Sequence, residues 1–351
     1  MHDQVFYIIK ILALSTLAFV FAIAWTPLLT HFLYKYKLGK KIRNSGTTPI
    51  FSQLHAHKAG TPTMGGLLIW GTLLFLILFF YILGWLFPGT ILAKFNFLSQ
   101  KETFLPLGAL VISALIGLFD DWLDVSGKGL SGGGGLKMKH RLLIYTLIAI
   151  AGALWFYYKL DWTVISIPFL GNFEIGAWYI PIFVAVIVAT SFSVNETDGL
   201  DGLAGGTLLF SFAAYGIIAF ILQRYDLAVF CGVIIGSLLA FLWFNIAPAR
   251  FYMGDTGAMS LGVTLGIIAL LTNNIFILPF VGLVFVIESL SVIIQLLSKK
   301  IRGKKVFLSS PLHHHLQAIG WPETKIVMRL WLIAGVAAAV GVMIFLLDIN
   351  F

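Results

Sequence analysis

Asn195-Glu196-Thr197-Asp198-Gly199-Leu200-Asp201-Gly202-Leu203-Ala204-Gly205-Gly206 sits between two long apolar runs. Asn195, Asp198 and Asp201 are spaced three apart, so a helical turn here puts the three side chains on one face. Gly199, Gly202, Gly205 and Gly206 let a backbone or a phosphate come close. Carboxylates at a membrane boundary are costly to desolvate, and a cation is the obvious partner. The plain alternative is a polar loop joining two membrane helices. Three acceptors at fixed spacing with four glycines exceed what such a loop needs.

The apolar runs on either side decide the fold. The chain has 351 residues, 59% hydrophobic and only 11% charged, against roughly 25% charged in a soluble domain. Ten apolar runs span about Ile8–Leu33, Met64–Phe87, Phe104–Phe119, Leu142–Tyr158, Trp178–Val194, Leu203–Leu222, Leu227–Ile246, Ala258–Leu271, Ile275–Leu297 and Ile326–Leu347. Each is long enough to cross, or nearly cross, a bilayer. The third and eighth are short and extend into the flanking motif residues. The first follows only Lys10 and lacks a small-residue cleavage site, so it reads as a retained helix and not a removed signal peptide.

Basic residues set the orientation. The connections after the odd-numbered spans hold seventeen Lys and Arg, among them Lys35, Lys37, Lys40, Lys41, Arg43, Lys58, Lys137, Lys139 and Arg141, while the opposite side holds five. The positive-inside rule places the odd loops in the cytoplasm and both termini outside. In a soluble chain the net charge of +8 points to nucleic acid; here it reflects basic loops beside anionic lipid, and no nucleic-acid partner is expected. Cys231 is the lone cysteine, which excludes an intrachain disulfide and a cysteine-built metal site. The external stretch Thr163–Gly176 alternates apolar and polar residues around Gly171-Asn172, predicting a small β-hairpin turning there. The fold class is an all-α polytopic membrane protein of about ten transmembrane helices in one domain, with cytoplasmic active-site loops and a small periplasmic β-hairpin.

Every cytoplasmic loop carries a polar cluster. The first ends in Lys58-Ala59-Gly60-Thr61-Pro62-Thr63-Met64-Gly65-Gly66; a lysine, two hydroxyls and close glycines at a helix start suit a phosphate or nucleotide, and equally a juxtamembrane turn. The second opens with Asp120-Asp121-Trp122-Leu123-Asp124. Three like charges within one turn repel unless a cation lies between them or one holds a proton, which favours metal binding or base catalysis over a solvated face. Gly132–Gly135 reads as a flexible linker. The fourth loop holds Phe251-Tyr252-Met253-Gly254-Asp255-Thr256-Gly257; glycines bracket Asp255, and the two aromatic rings are candidates to stack on a flat ligand or to sit at the interface. Glu288 and Gln295 share one face of the ninth span, where an ionisable residue is a functional or a hydrogen-bonded structural feature. The fifth loop carries His313-His314-His315, of which at most two can share a ligand; imidazoles there suit phosphate oxygens better than zinc.

This constellation, over essentially the whole chain and in order, resembles the phospho-N-acetylmuramoyl-pentapeptide-transferase family of the polyprenyl-phosphate N-acetylhexosamine-1-phosphate transferase superfamily. The acidic motifs are superfamily-wide, whereas Thr61–Gly66 and the triple histidine point to the muramoyl-pentapeptide branch. The resemblance implies transfer of phospho-N-acetylmuramoyl-pentapeptide from its uridine diphosphate carrier to undecaprenyl phosphate. It also implies a magnesium cofactor, a bacterial cytoplasmic-membrane location with the site facing the cytoplasm, and a homodimer. By the same resemblance Asp255 is a metal ligand, with Asp120 and Asp121 as base or metal-organising carboxylates and His313 among the catalytic groups. Lys58, Thr63, Asn195, Asp198, Asp201, Tyr252 and Gly254 match positions of the nucleotide and magnesium pocket, and His313, His314 and His315 a cluster for substrate phosphate or sugar. Three departures stand out: Tyr252 where phenylalanine is usual, Gln317 where glutamate is common, and an exchanged basic pair at Lys139 and Arg141. Direct in-line attack by the lipid phosphate and a two-step route through a phosphorylated aspartate both remain open. So do an N-acetylglucosamine-1-phosphate transferase and, from another class, a cation-coupled transporter using Glu288.

Overall fold

The computed structural model describes residues 2–39, 58, 60–100, 102–128 and 135–349. Ala59, Gly132–Gly134 of the expected linker, and Lys40, Lys41, Arg43 and Lys101 lie outside the described residues. Among the described residues thirteen α-helices and one two-stranded sheet follow in order: α1 His2–Lys35, α2 Leu67–Leu86, α3 Ile91–Lys94, α4 Phe104–Ser126, α5 Met138–Lys159, β1 Val164–Ile167, β2 Gly171–Glu174, α6 Tyr179–Thr197, α7 Leu203–Ile221, α8 Tyr225–Asn245, α9 Gly254–Leu271, α10 Leu278–Val281, α11 Leu283–Arg302, α12 Leu312–Ala318 and α13 Glu323–Asp348. Among the described residues nine helices are long and apolar enough to cross a membrane. The protein is a multi-pass membrane protein. Its many exposed Leu, Ile, Phe and Trp side chains face lipid, where they carry no hydrophobic penalty.

The ninth expected span, Ile275–Leu297, is broken. It forms the single turn α10 and then α11, joined at Gly282. The third and eighth spans extend as expected: α4 runs through Asp120, Asp121 and Asp124, and α9 starts at Gly254. The expected hairpin is present, but Ile167 pairs with Gly171, so the turn is Pro168-Phe169-Leu170 and Gly171-Asn172 begin β2. Phe169 takes the left-handed backbone, φ 65°. Asn273 Oδ1 accepts from Ser166 N–H at 3.2 Å, which ties the hairpin to the end of α9.

α9 is the axis of the bundle, with 94% of its length buried. In lipid, helices approach closely where side chains are small. A Cβ on Gly117 of α4 would overlap the backbone of Asp255 and Thr256, one on Gly262 the backbone of Thr190 and Ser191 in α6, and one on Gly66 the backbone of Gly257. Close contact on three sides brings the C-terminal ends of α4 and α6 against the first turn of α9. Buried hydroxyls on these helices, including Thr190, Ser260, Thr264 and Thr272, donate to carbonyls three or four residues back, so they cost little in an apolar medium.

Candidate active site

Three acidic side chains and one arginine meet at that helix junction. Asp121, at the end of α4, accepts from the backbone N–H groups of Asp255 at 3.1 Å and Thr256 at 3.0 Å, and from Thr63 Oγ1 at 3.2 Å. It caps α9 from another helix, which places a carboxylate on the positive end of the helix dipole. Gly254 makes room for this: it has φ 73°, and a Cβ there would strike Asp121 and Thr63. Thr63 is held by a short ladder in which Tyr252 N–H donates to Pro62, and Gly65 and Gly66 N–H donate to Tyr252 and Met253.

Arg141, at the start of α5, is the centre of the junction. Nη2 donates to Asp255 Oδ2 at 2.7 Å and Nη1 to Asn195 Oδ1 at 3.1 Å. Nε lies 2.8 Å from Asp120 Oδ2 as an ion pair, although its N–H does not point along that contact. Asn195 Nδ2 in turn donates to Asp255 Oδ1 at 2.5 Å. Asp120 Oδ1 accepts from Leu136 N–H at 2.5 Å. Asp120, Asp121, Asp255 and Arg141 carry a formal charge of −2 together, three carboxylates against one guanidinium. Among the described residues no three His, Cys, Asp or Glu side chains converge as a metal cage. The donor set is nonetheless right for magnesium, which takes one or two protein carboxylates and fills its remaining positions with phosphate and water.

The turn at 195–206 does not put its three polar side chains on one face. α6 ends at Thr197, Asp198 is non-helical at φ −78° and ψ 54°, and Gly202 reverses the chain at φ 85°. Asn195 therefore faces Asp255, whereas Asp201 faces away. Asp201 Oδ1 and Glu323 Oε1 take Lys58 Nζ at 2.6 and 2.5 Å. Asp201 Oδ2 accepts from Ala249 N–H at 2.9 Å, and Asn245 links Gly202 N–H to the Phe251 carbonyl. The glycines of this stretch admit protein and not a ligand: a Cβ on Gly199 would overlap His313, and one on Gly206 the Trp331 indole.

Phe251 is fully buried between Phe241 and Phe244, with ring centroids 5.9 Å away on each side, so it is core and cannot stack on a ligand. Tyr252 is half-buried beside Lys58 and Asp201. Burial pushes its phenol up to about 12, which keeps it a hydrogen-bond donor.

The three histidines separate. His313 is fully buried; its Nδ1 lies 3.0 Å from Glu288 Oε2, which also accepts from His313 N–H at 3.2 Å. Among the described residues His313 Nε2 has no hydrogen-bond partner, and it points at Gly199. His314 Nδ1 contacts Gln317 Oε1 at 3.0 Å, and His315 Nδ1 accepts from Leu308 N–H. Gln295 mimics a strand, accepting from Val306 and Phe307 N–H and donating to the Phe307 carbonyl, so it fixes the loop that leads into the histidine helix. The charges of both His313 and Arg141 act on Glu196, which links the histidine helix electrostatically to the acidic junction. Beside α6 an apolar groove of about 310 Å³, lined by Val186, Ala189, Val194, Leu278 and Phe285, runs toward the same end.

Four participants were missed in the sequence. Arg141 was visible only as an exchanged basic residue, and Glu196 sat unremarked inside the central stretch. Glu323, following Pro322, reads as an ordinary acidic helix start. Trp331, whose Nε1 donates to the Gly202 carbonyl at 3.1 Å, carries no local signal.

Comparisons with known proteins give the family. The family described as "Glycosyl transferase family 4" matches residues 103–273, and the first phospho-N-acetylmuramoyl-pentapeptide-transferase signature matches residues 58–69. The chain is similar to the phospho-N-acetylmuramoyl-pentapeptide-transferase of Chloroflexus aggregans, with 39% identity over 95% of this chain and 89% of that protein. Its likeness to the enzyme of Anoxybacillus flavithermus is 38% over 95% of this chain and 97% of that protein, and to that of Bacillus thuringiensis 37% over the same shares. The chain belongs to the phospho-N-acetylmuramoyl-pentapeptide-transferase family.

Proposed function

We propose that the protein transfers phospho-N-acetylmuramoyl-pentapeptide from UDP-N-acetylmuramoyl-pentapeptide to undecaprenyl phosphate. The products are the first lipid intermediate of peptidoglycan synthesis and uridine monophosphate. The observation that carries this reading is the convergence of Asp120, Asp255 and Asn195 on Arg141 at one end of the helix bundle. The positive-inside rule puts that end in the cytoplasm and both termini outside. A soluble nucleotide and a lipid phosphate both reach such a site, and the apolar groove beside α6 suits the acceptor's isoprenoid chain.

The junction's charge of −2 would itself repel phosphates, so a divalent cation belongs to the reading. Asp255 would hold magnesium, whose chemistry is to neutralise charge on the diphosphate and on the leaving uridine monophosphate. Arg141 presents a planar guanidinium to the same oxygens. Asp121 caps the first turn of α9, and Asp120 is the carboxylate that would take any residual proton from the lipid phosphate as its oxygen attacks the β-phosphorus. The bond from that phosphorus to the uridine monophosphate oxygen then breaks. Lys58 is matched by two carboxylates and has no spare charge for a phosphate; with Asp201 and Tyr252 it offers donors and acceptors suited to the neutral base end of the nucleotide. Uridine monophosphate release by purified protein given both substrates tests the proposal. Equal or faster release from UDP-N-acetylglucosamine would overturn it.

A further inference from the structure

Glu323 opens α13, at the far end of the sequence from Lys58. Its Oε1 accepts from Lys58 Nζ at 2.5 Å and from Asp201 N–H at 2.7 Å, while Asp201 Oδ1 takes the same ammonium at 2.6 Å. The side chains of Lys58, Asp201 and Glu323 are 11%, 6% and 16% exposed. Solvent therefore screens them little, and the contacts hold a normally flexible lysine stem in one place. α13 grips the 198–202 turn a second time through Trp331 on the Gly202 carbonyl.

Lysine on an ordinary loop has a wide choice of rotamers, and ordering it on binding costs affinity. Here that cost is met before any ligand arrives, and the residue meeting it comes from a helix outside every motif of the sequence. We propose that Glu323 is a positioning residue for the donor nucleotide: it clamps Lys58 against the turn, so that the ammonium and the Asp201 carboxylate face the neutral end of the nucleotide together. This rests on the function proposed above. A purely structural role at a helix start, where an acid complements the dipole, would lower stability and leave substrate affinity untouched.

The test uses the purified full-length chain and measures uridine monophosphate release against UDP-N-acetylmuramoyl-pentapeptide at saturating lipid phosphate. Glu323→Gln keeps shape and the bond from Asp201 N–H but removes the charge that holds Lys58. Its KM for the nucleotide is expected to rise about tenfold or more with kcat within about threefold, the signature of lost binding without lost chemistry. Lys58→Met raises KM as well, and adding Glu323→Gln to it changes nothing further, because the residue acts through the lysine. Glu323→Asp, charged but one methylene shorter, gives an intermediate KM. A wild-type KM in Glu323→Gln, or additive effects in the double variant, overturns the inference. Because simple loss of a repelling anion would lower KM, a fall in KM overturns it as well. Should Glu323→Gln fail to fold, Glu323→Asp decides alone, and an unchanged KM there refutes the clamp. A wild-type protein that releases no uridine monophosphate refutes the proposed function instead, which keeps the two failures apart.

Discussion

Asp120 and Asp121 are neighbours with the same charge and the same burial, 3% exposed each, yet their substitutions are expected to do different things. Asp121 accepts from Thr63 Oγ1 and from two backbone N–H groups at the start of α9. Asparagine offers one oxygen in place of two, and its amide N–H₂ turns donors toward donors, so at least one α9 N–H loses its acceptor. A hydrogen bond to a buried charged group contributes about 1.5–3 kcal/mol. The lost anion at a partly buried helix N-terminus adds about 0.5–2 kcal/mol. Asp121→Asn is therefore expected to lose roughly 2–5 kcal/mol of stability together with its activity. Asp120→Asn keeps an oxygen for Leu136 N–H, and Arg141 retains Asp255 and Asn195. Its thermal midpoint should stay near that of the wild type, while turnover falls about 10²–10⁴-fold if the group takes a proton from the nucleophile. Thermal unfolding in detergent micelles alongside uridine monophosphate release reads both quantities. Equal midpoints for the two variants would refute the capping role of Asp121, and a near-normal rate in Asp120→Asn would remove it as the base.

Asp255→Asn preserves size and removes charge; the folded variant should lose about 10²–10⁴-fold in turnover, with a little recovery at high magnesium and more with manganese, checked by a metal titration with a parallel melt. Chelating zinc while supplying magnesium should leave activity intact, whereas His313→Ala should damage it; one zinc per chain in metal analysis, lost in that variant, would reverse the reading. Gly206→Ala forces a methyl into the Trp331 indole, so it should destabilise by about 1–3 kcal/mol, seen as a lower thermal midpoint.

The bundle was legible because membrane spans announce themselves by length and apolarity, and nine of the ten stretches form single helices that can cross a bilayer. The break at Gly282 was not legible: Pro279 and Gly282 lie inside a run whose overall apolarity outweighs them. The hairpin was found but its turn displaced, because Gly171-Asn172 has the composition of a two-residue turn while Phe169 supplies the positive φ. At the site, residue types announced the carboxylates, and spacing misled on their orientation. The interval Asn195–Asp198–Asp201 signals one helical face only while the helix continues, and it stops at Thr197. Arg141 and Glu323 were missed for a common reason. Each meets its partners across dozens to hundreds of residues, and pairing at that range is set by how closely α4, α6, α9 and α13 pack, which the glycines and not the charged residues determine.

The central claim is that this junction moves a phosphorylated muramoyl-pentapeptide from a uridine carrier to a lipid phosphate. The most direct measurement supplies purified protein with radiolabelled UDP-N-acetylmuramoyl-pentapeptide, undecaprenyl phosphate and magnesium, and follows uridine monophosphate and label entering the lipid phase. The account predicts equimolar appearance of both, dependent on the lipid phosphate and lost in Asp255→Asn. Folded wild-type protein that transfers no label from this donor, or transfers it equally well from UDP-N-acetylglucosamine, would contradict it.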